Sequence, residues 1–308
     1  MQKHFCDGQH LRSIFSMVVA AFAFLTLNAW SADKPFTVVS YNVKNYLIDP
    51  VGTRKIKSEE SRKAIVRNLV ELNADVIAFQ EMGGAKGLAE LRSRLKDGGI
   101  DYPIAKVLYG HDKAIQLAML SRIPVVRSVA HTNVSYLIGT QRLWVSRGFD
   151  ETQFKSDSGY EFTLINVHLK SKRTVPHADC DVMRLHEARL LRNIIDQRLG
   201  KNPDLNLMIV GDLNDSPDSP SVKRVVSGGN PTLTDLKPLA CNKENGNGAD
   251  WTYYYAAKKS ENRYDYFLVS PGMAKDLIRE KTIVFSSEKF GLASDHRPII
   301  ATIAAKDR

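Results

Sequence analysis

Residues 207–214 read LMIVGDLN, an apolar run that ends in a glycine and is followed by Asp212 and Asn214. A short apolar run bounded by turn residues predicts a buried β-strand. A polar side chain at the end of one strand is more often a turn or cap residue than a catalytic one. The interpretation of Asp212 and Asn214 therefore depends on whether other strands of the chain end in the same way.

Polar residues stand at the ends of several other predicted strands. They are Asn42 after FTVVSY, Glu81 after VIAFQ, His168 after LINV, Asp265 within RYDYFLV, and Asp295 and His296 before RPIIATI. Strands that bring carboxylates, amides and imidazoles to one end of a sheet suit a hard divalent cation, which needs oxygen ligands converging from rigid elements. The set as a whole therefore predicts a metal site.

The periodicity of the remaining chain predicts a mixture of strands and helices. Strands are expected at residues 36–41, 76–79, 115–120, 144–149, 162–167, 207–210, 264–269, 282–285 and 298–303. Helices are expected from the N-cap Ser58 to Leu72, around Leu88 to Leu95 before Gly98, and from Arg184 to Leu199 before Gly200. No linker or shift in composition divides the chain. About ten strands with a few helices indicate two sheets packed together with helices outside.

Composition limits the class of protein. The chain has 308 residues, of which 43% are hydrophobic and 25% charged, so it can bury a sizeable core in one large domain or two small ones. An aromatic content of 8% with 12 prolines and 19 glycines excludes collagen-like and low-complexity chains. The formal charge of +9 favours anionic partners such as nucleic acid, phosphorylated metabolites or lipid headgroups.

The N-terminus has the features of a signal peptide. Lys3 and Arg12 precede a charge-free apolar run at residues 14–27, which is too short to span a bilayer comfortably. We expect a signal peptide at residues 1–31 and a single mature domain at residues 32–308 that is exported, either periplasmic or secreted, without a transmembrane anchor. The alternative is an uncleaved N-terminal anchor.

Two cysteines remain after the expected cleavage. Cys6 is removed with the signal peptide, and Cys180 and Cys241 then reside in a compartment where disulfides persist. The sequence is equally consistent with a disulfide between them and with two independent thiols.

The order of the polar motifs resembles that of the endonuclease/exonuclease/phosphatase family, whose members include pancreatic deoxyribonuclease, abasic-site endonucleases, neutral sphingomyelinases and inositol-phosphate phosphatases. The motifs are Ser40-Tyr41-Asn42, Gln80-Glu81, Asn166-Val167-His168-Leu169, Gly211-Asp212-Leu213-Asn214, Tyr264-Asp265-Tyr266 and Ser294-Asp295-His296-Arg297-Pro298. The resemblance spans Phe36 to Ile303. It implies a four-layer α/β sandwich, with two mixed β-sheets packed face to face and helices outside, which agrees with the strand count.

The resemblance also implies a metal centre. Glu81 is identified as the principal metal ligand, with Asn42 and Asp295 close by. Mg²⁺ is the expected ion because ligation by oxygen atoms and retained waters suits it better than it suits zinc, and Mn²⁺ or Ca²⁺ would also suit such a site.

By the same resemblance, the remaining motif residues carry out catalysis. His296 resembles the general base of the family, and Asp265 would orient its ring. Asp212 and Asn214 resemble the residues that hold the attacking water and the scissile phosphate. His168 takes the place where deoxyribonuclease-like members carry a histidine for the leaving group. Abasic-site endonucleases differ in this region, so a strict repair role is not expected.

Two groups of residues are candidates for substrate binding. Lys170, Lys172 and Arg173 directly follow His168 and would suit a loop that clamps phosphates, although a solvated basic loop is an equal alternative. Trp251, at the start of WTYYY, could stack on bases, whereas an ordinary strand with alternate aromatics in the core is the competing interpretation. Arg147 is a further candidate for contact with phosphate.

These observations favour a metal-dependent phosphodiester hydrolase, namely a monomeric, exported endonuclease of low sequence specificity that acts on DNA or RNA. Two alternatives stay open: a phosphoesterase acting on a small phosphorylated molecule or a sphingomyelin-type lipid, and a non-catalytic nucleic-acid-binding protein. The sequence lacks the G-x-S-x-G, P-loop, dinucleotide-binding, H-E-x-x-H and paired C-x-x-C patterns. Serine hydrolases, nucleotide kinases, dehydrogenases and zinc proteases are therefore excluded.

Overall fold

The computed structural model describes residues 34–237, 251–287 and 290–306. The predicted signal peptide, residues 1–31, and Cys241 lie outside the described residues, so the expectations about cleavage and about a disulfide stay predictions.

The first of two large sheets is mixed. Its strands, in spatial order, are β15 (Ile283–Val284), β16 (Ile299–Ile303), β1 (Phe36–Tyr46), β2 (Val76–Met82), β4 (Gln116–Ser121) and β3 (Ile104–Leu108). β1 and β2 are parallel, and the other neighbours are antiparallel. The parallel pair brings the ends of β1 and β2 to the same edge of the sheet.

The second large sheet is also mixed. Its strands, in spatial order, are β11 (Thr234–Asp235), β14 (Asp265–Val269), β10 (Leu207–Asp212), β9 (Glu161–His168), β8 (Phe149–Lys155) and β5 (Val125–His131). Only β9 and β10 are parallel. Two hairpins stand apart from the sheets, β6 (Ser135–Ile138) with β7 (Gln141–Trp144), and β12 (Tyr253–Tyr255) with β13 (Ser260–Asn262).

The helices cover the outer faces of the sheets. They are α1 (Glu59–Leu72), α2 (Gly84–Asp97), α3 (Cys180–Lys201), α4 (Pro220–Ser227), and two single turns, α5 (Pro271–Ala274) and α6 (Phe290–Ala293). As predicted, Ser58 caps α1, and its side chain accepts a hydrogen bond from the Ser61 amide at 3.2 Å. α1 and α2 pack on the first sheet, and α3 and α4 pack on the second.

Alternation along the strands separates three apolar layers. Val38 and Ala78 of the first sheet pack against Leu164 and Met208 of the second, whereas their sequence neighbours face the helices. The layer order is therefore helix, sheet, sheet, helix. This arrangement confirms the predicted four-layer α/β sandwich.

The same alternation explains where the polar side chains lie. The inward positions of the strands are mostly apolar at one end and polar at the other, and the polar ones include Ser40, Asn42, Gln80, Asn166, His168, Asp212 and Asp265. Gln80 Nε2 donates to Asn166 Oδ1 across the two sheets at 2.8 Å. The two-residue period of a strand therefore places the motif residues between the sheets at one end of the sandwich.

The predicted strand at residues 144–149 is wrong. β7 ends at Trp144, the chain turns at Gly148 with a φ of +69°, and β8 begins at Phe149. Glycine is required at this turn, because its φ is positive and a Cβ would lie 2.8 Å from the His131 carbonyl oxygen. The apolar residues on either side of the glycine therefore belong to two different strands.

Cys180 is the first residue of α3 and is buried, and no other cysteine pairs with it among the described residues. Its Sγ lies 3.0 Å from the carbonyl oxygen of Arg173. The thiol thus fastens the loop that follows β9 to the start of the helix.

Candidate active site

The floor of the candidate site joins the two sheets. Asn42 of β1 is fully buried, and its Nδ2 donates to Asp212 Oδ2 of β10 at 3.0 Å and to Glu81 Oε1 of β2 at 3.4 Å. Asn214 donates its backbone N–H to Asp212 Oδ1 at 2.7 Å. Residues that lie 39 and 170 positions from Asn42 in the chain are thus within its reach. The predicted convergence of strand ends is present.

Glu81 adopts an unusual backbone conformation. Its φ is +62°, in the left-handed region that non-glycine residues seldom occupy. The register between β2 and β4 shifts between Phe79 and Met82, so Glu81 sits in a bulge that re-aims its side chain. The backbone N–H of Asn45 donates a hydrogen bond to Glu81 Oε2 at 2.9 Å. Strain of this kind persists where the surrounding structure fixes a functional side chain.

His296 and Asp265 form the predicted pair. His296 Nδ1 lies 2.8 Å from Asp265 Oδ2, and both side chains are buried. The Asp265 amide donates to Thr252 Oγ1 at 3.0 Å. With Nδ1 engaged, Nε2 is the free nitrogen of the ring, and it lies 3.8 Å from Asp212 Oδ2.

Charges around His296 control its protonation. Burial alone would lower the pKa of His296, but the nearby carboxylates of Asp265 and Asp212 outweigh it and raise the pKa to about 10. Burial raises the pKa of Asp212 to about 7; the charge of His296 opposes this shift, and that of Asp265 adds to it. The shift of His296 thus arises from neighbouring negative charge, and that of Asp212 mainly from burial. Positive charge bound beside these carboxylates would lower the pKa of His296 again.

His168 lies on the opposite side of Asp212. Its Nε2 is 3.5 Å from Asp212 Oδ2, and no hydrogen-bond partner for Nδ1 occurs among the described residues. Burial holds the pKa of His168 well below its ordinary value, and the positive charge of Arg147 adds to the effect. The imidazole is therefore neutral at physiological pH.

Asp295 pairs with a lysine that the sequence analysis did not single out. Lys44 Nζ lies 3.0 Å from Asp295 Oδ2. The buried Lys57 donates its Nζ to the Lys44 carbonyl oxygen at 3.0 Å, and burial lowers the pKa of Lys57 to about 8. Lys44 stands only two residues after Asn42, so its closeness to a strand-end motif is the signal that could have identified it.

The donor set fits a divalent cation. Asp212, Asp265 and His296 offer ligand atoms that all lie within 4.8 Å of one another. Glu81 and Asp295 add two further carboxylates at the same end of the sandwich, and both are only half-buried. Oxygen donors that are accessible from solvent on one side suit Mg²⁺ or a similar hard ion, which retains several waters. Because Asp265 and His296 are bonded to each other, Glu81 and Asp295 are the carboxylates that could hold the ion that the sequence analysis predicts.

The site opens into a cleft with a volume of about 680 Å³. Glu81, Asp212, Asn214, Asp295 and His296 form its floor. Its walls carry four cationic side chains, Lys44, Lys172, Arg173 and Lys258, and three tyrosine rings, Tyr253, Tyr255 and Tyr264. A cleft of this composition complements an anionic substrate that also has planar groups.

The family of the protein follows from its sequence profile. The profile described as the Endonuclease/Exonuclease/phosphatase family matches residues 25–296. The chain belongs to the endonuclease/exonuclease/phosphatase family. The predicted membership is confirmed, and the two mixed sheets with outer helices are the phosphoesterase fold of the family.

Solved structures of other proteins share this fold. A family protein from Bacteroides vulgatus has a TM-score of 0.62 at 15% identity, over 88% of this chain and 98% of that one. Truncated TDP2 from Caenorhabditis elegans has a TM-score of 0.59 at 18% identity, over 87% and 97%. Sphingomyelinase C from Streptomyces griseocarneus has a TM-score of 0.59 at 18% identity, over 88% and 99%. No curated protein sequence matches the chain.

Within the endonuclease/exonuclease/phosphatase fold, three predicted substrate-binding residues face away from the cleft. Lys170 is buried, and its Nζ donates to the carbonyl oxygens of Ser171 at 3.4 Å and Arg173 at 3.1 Å. Arg147 is buried too, and it donates to the Leu169 carbonyl oxygen at 3.0 Å. Both predictions are wrong, because these cations satisfy backbone carbonyls beneath the loop that follows β9.

Trp251 is the third correction. Only 9% of its surface is exposed, and its ring lies edge-on to Phe290 with centroids 5.2 Å apart. The Arg297 guanidinium covers one ring face at 3.2 Å from the centroid. Trp251 therefore packs inside the protein, as the competing interpretation held. The tyrosines at positions 253 and 255 face the cleft instead.

The loop of residues 169–173 carries Lys172 and Arg173 and rests on a buried network. Arg184 of α3 is fully buried and donates to Asp215 Oδ2 at 2.9 Å and to the Lys170 carbonyl oxygen at 3.0 Å. Asp215 in turn pairs with Lys172 Nζ at 2.6 Å. The network holds the loop at the edge of the cleft.

Replacing Arg184 with methionine is expected to lower the free energy of unfolding by about 3–5 kcal/mol, because it leaves the buried Asp215 carboxylate without one of its two cationic partners. Arg189→Met, at an exposed position of the same helix, is the matched control and should change stability by less than about 0.5 kcal/mol. Urea denaturation of both variants provides the measurement. Equal stabilities would show that the network contributes nothing.

Proposed function

We propose that this protein is a divalent-metal-dependent nuclease that is exported and cleaves phosphodiester bonds in DNA or RNA with low sequence specificity. The observation that carries the proposal is a cleft in which a buried His296–Asp265 pair and the Glu81 carboxylate face a wall of cations and tyrosine rings. Among the described residues, no carboxylate pairs with Arg173 or Lys258 on this wall. These cations are thus available to phosphates.

The metal would be Mg²⁺, held by Glu81 and Asp295 with Asn42 beside them. Bound there, it would neutralise the charge that develops on the phosphoryl oxygens during hydrolysis. The oxygen-rich donor set and its exposure to solvent support this choice. On binding the metal, the Asp295 carboxylate would weaken its ion pair with Lys44.

The residues of the chain would divide the remaining work. Asp265 holds Nδ1 of His296, so Nε2 is the nitrogen that accepts a proton from the attacking water. Asp212 and Asn214 border the same space and position the water and the phosphate. His168, which is neutral, can donate an N–H to the leaving oxygen without carrying a charge of its own.

Substrate class distinguishes the proposal from its alternatives. Plasmid DNA, RNA, sphingomyelin and a chromogenic phosphate diester are assayed in parallel, with and without EDTA. We expect EDTA-sensitive cleavage of the two polynucleotides. Turnover of sphingomyelin or of the small ester alone would transfer the activity to a lipid or small-molecule phosphoesterase, and binding of polynucleotide without turnover would indicate a non-catalytic protein.

Export is the second part of the proposal, and it rests on residues 1–31 of the sequence. The described residues contain no helix that is both long and apolar enough to cross a membrane. N-terminal sequencing of the protein recovered from outside the cytoplasm should begin at Ala32. A chain that retains Met1 would contradict cleavage.

A salt titration tests the contacts with phosphate. The logarithm of KM for DNA should rise linearly with the logarithm of salt concentration, and Arg173→Ala with Lys172→Ala should reduce the slope by roughly one for each lost contact. Lys201→Ala, at an exposed position of α3 outside the cleft, is the control and should keep the slope of the wild type. A KM that is independent of salt would contradict a polyanionic substrate.

A further inference from the structure

The β12–β13 hairpin is hydrogen-bonded directly to residues 295–297, which include the catalytic base His296. Tyr253 forms an isolated β-bridge with His296, and the Tyr254 amide donates to the Asp295 carbonyl oxygen at 2.9 Å. On the other side, the Arg297 amide donates to the Thr252 carbonyl oxygen at 2.7 Å. The hairpin therefore holds a fixed position relative to the catalytic base, so its side chains are preorganised at the site.

Alternation along β12 directs two tyrosine rings into the cleft. The Tyr253 ring lies between two others: its centroid is 5.1 Å from that of Tyr264, at an interplanar angle of 16°, and 6.4 Å from that of Tyr255, at 17°. We name the three nearly parallel rings the tyrosine ladder. Its middle ring, Tyr253, lies beside the catalytic base, with its centroid 4.7 Å from that of the His296 ring. From there the ladder extends to the exposed Tyr255.

Packing does not account for the outer end of the tyrosine ladder. Tyr255 is 41% exposed, whereas Trp251 at the start of the same segment is buried. The separation of the Tyr253 and Tyr255 rings is close to the upper limit for a direct aromatic pair. The ring faces at this end are thus available to a planar group of a ligand.

Positive charge stands at both ends of the tyrosine ladder. Lys172 Nζ lies 5.5 Å from the Tyr264 ring centroid, and Lys258 follows Tyr255 in the turn of the hairpin and lines the same cleft. A nucleic acid strand repeats this pattern, because each base is flanked by two phosphates. Charge and ring faces together match a polynucleotide better than they match a lipid chain, which has no planar group.

We propose that the tyrosine ladder is a stacking subsite for an unpaired base next to the scissile phosphate, so that the enzyme prefers single-stranded to duplex nucleic acid. This inference rests on the proposed nuclease function. In a duplex, the neighbouring base pairs cover both faces of each base, and a base must leave the stack before it reaches a tyrosine ring. Stacking on ring faces also tolerates every base, which agrees with low sequence specificity.

The test removes the Tyr255 ring from the enzyme and the bases from the substrate, separately and together. Wild type and Tyr255→Ala are compared on a single-stranded 12-mer, on its duplex, and on a 12-mer of stable abasic sugars that keeps every phosphate. We expect Tyr255→Ala to raise KM for the single strand about tenfold and to leave KM for the abasic strand unchanged. Tyr255→Phe should restore the wild-type KM, because the ring and not the hydroxyl does the stacking.

Tyr109→Ala is the matched control, since Tyr109 is 58% exposed and lines a different groove. An equal effect of Tyr255→Ala on the abasic and the normal strand, or equal kcat/KM of the wild type for single strand and duplex, would overturn the subsite while the nuclease function stands. Failure to cleave any polynucleotide would overturn the proposed function itself, and the subsite with it.

Discussion

Replacing His296 with alanine should lower kcat for phosphodiester hydrolysis by about a thousandfold. The ring lines the cleft, and its second nitrogen is held by a buried carboxylate, with His296 Nδ1 2.8 Å from Asp265 Oδ2. Without the imidazole, the base that Asp265 orients toward the nucleophile is lost. Single-turnover kinetics at saturating metal provide the measurement, because they separate the chemical step from product release.

Asp265→Asn extends the same prediction. A carboxylate accepts hydrogen bonds through both of its oxygens, whereas an amide accepts through only one atom. The Asn side chain would therefore no longer fix the tautomer and the position of the His296 ring, and kcat should fall by about a hundredfold or more. The double variant should be little worse than His296→Ala alone, because the two residues act as a unit. Fully additive losses would contradict the pairing.

His177→Ala is the control for this series, since His177 is an exposed histidine outside the cleft lining. It should retain the wild-type kcat. Circular dichroism of each variant distinguishes loss of a catalytic group from loss of folding, which matters because His296 is buried against Tyr253.

Glu81→Gln is expected to weaken metal binding and to lower activity at least about a hundredfold, since it removes a formal charge from the donor set without changing its shape. The Gln side chain would still accept a hydrogen bond from the Asn45 amide, so the fold should be retained. Calorimetric titration with Mn²⁺ measures affinity independently of turnover.

Glu71→Gln makes the same chemical change at an exposed position of α1 and is the matched control. Its metal affinity and activity should equal those of the wild type. If Glu81→Gln binds Mn²⁺ with wild-type affinity and its activity resists EDTA, then Glu81 is not a metal ligand.

Local pattern was sufficient to predict the elements that carry the site. Apolar runs such as LMIVGDLN form strands because alternate residues meet two apolar layers, and the motif residues follow them because a strand end is where the apolar layer stops. The convergence of Asn42, Asp212 and Asp265 could therefore be expected from the order of motifs.

Short-range patterns were insufficient where one glycine or one bulge decides the geometry. The run from Trp144 to Phe149 is apolar enough for a strand, yet the turn at Gly148 divides it. Glu81 follows an apolar strand like any strand-end residue, but its positive φ arises from the pairing of β2 with β4, which lies more than 30 residues away.

The sequence by itself determined the family, the four layers and the set of polar side chains at one end of the sandwich, because all three depend on periodicity and motif order along the chain. Only the tertiary structure decided which cations and aromatic rings face the substrate. Lys170 and Trp251 are buried against elements that are distant in sequence, whereas Lys172 and Tyr255 from the same segments face the cleft. Side-chain exposure depends on which elements pack nearby, and neighbouring residues share a sequence context but not a packing environment.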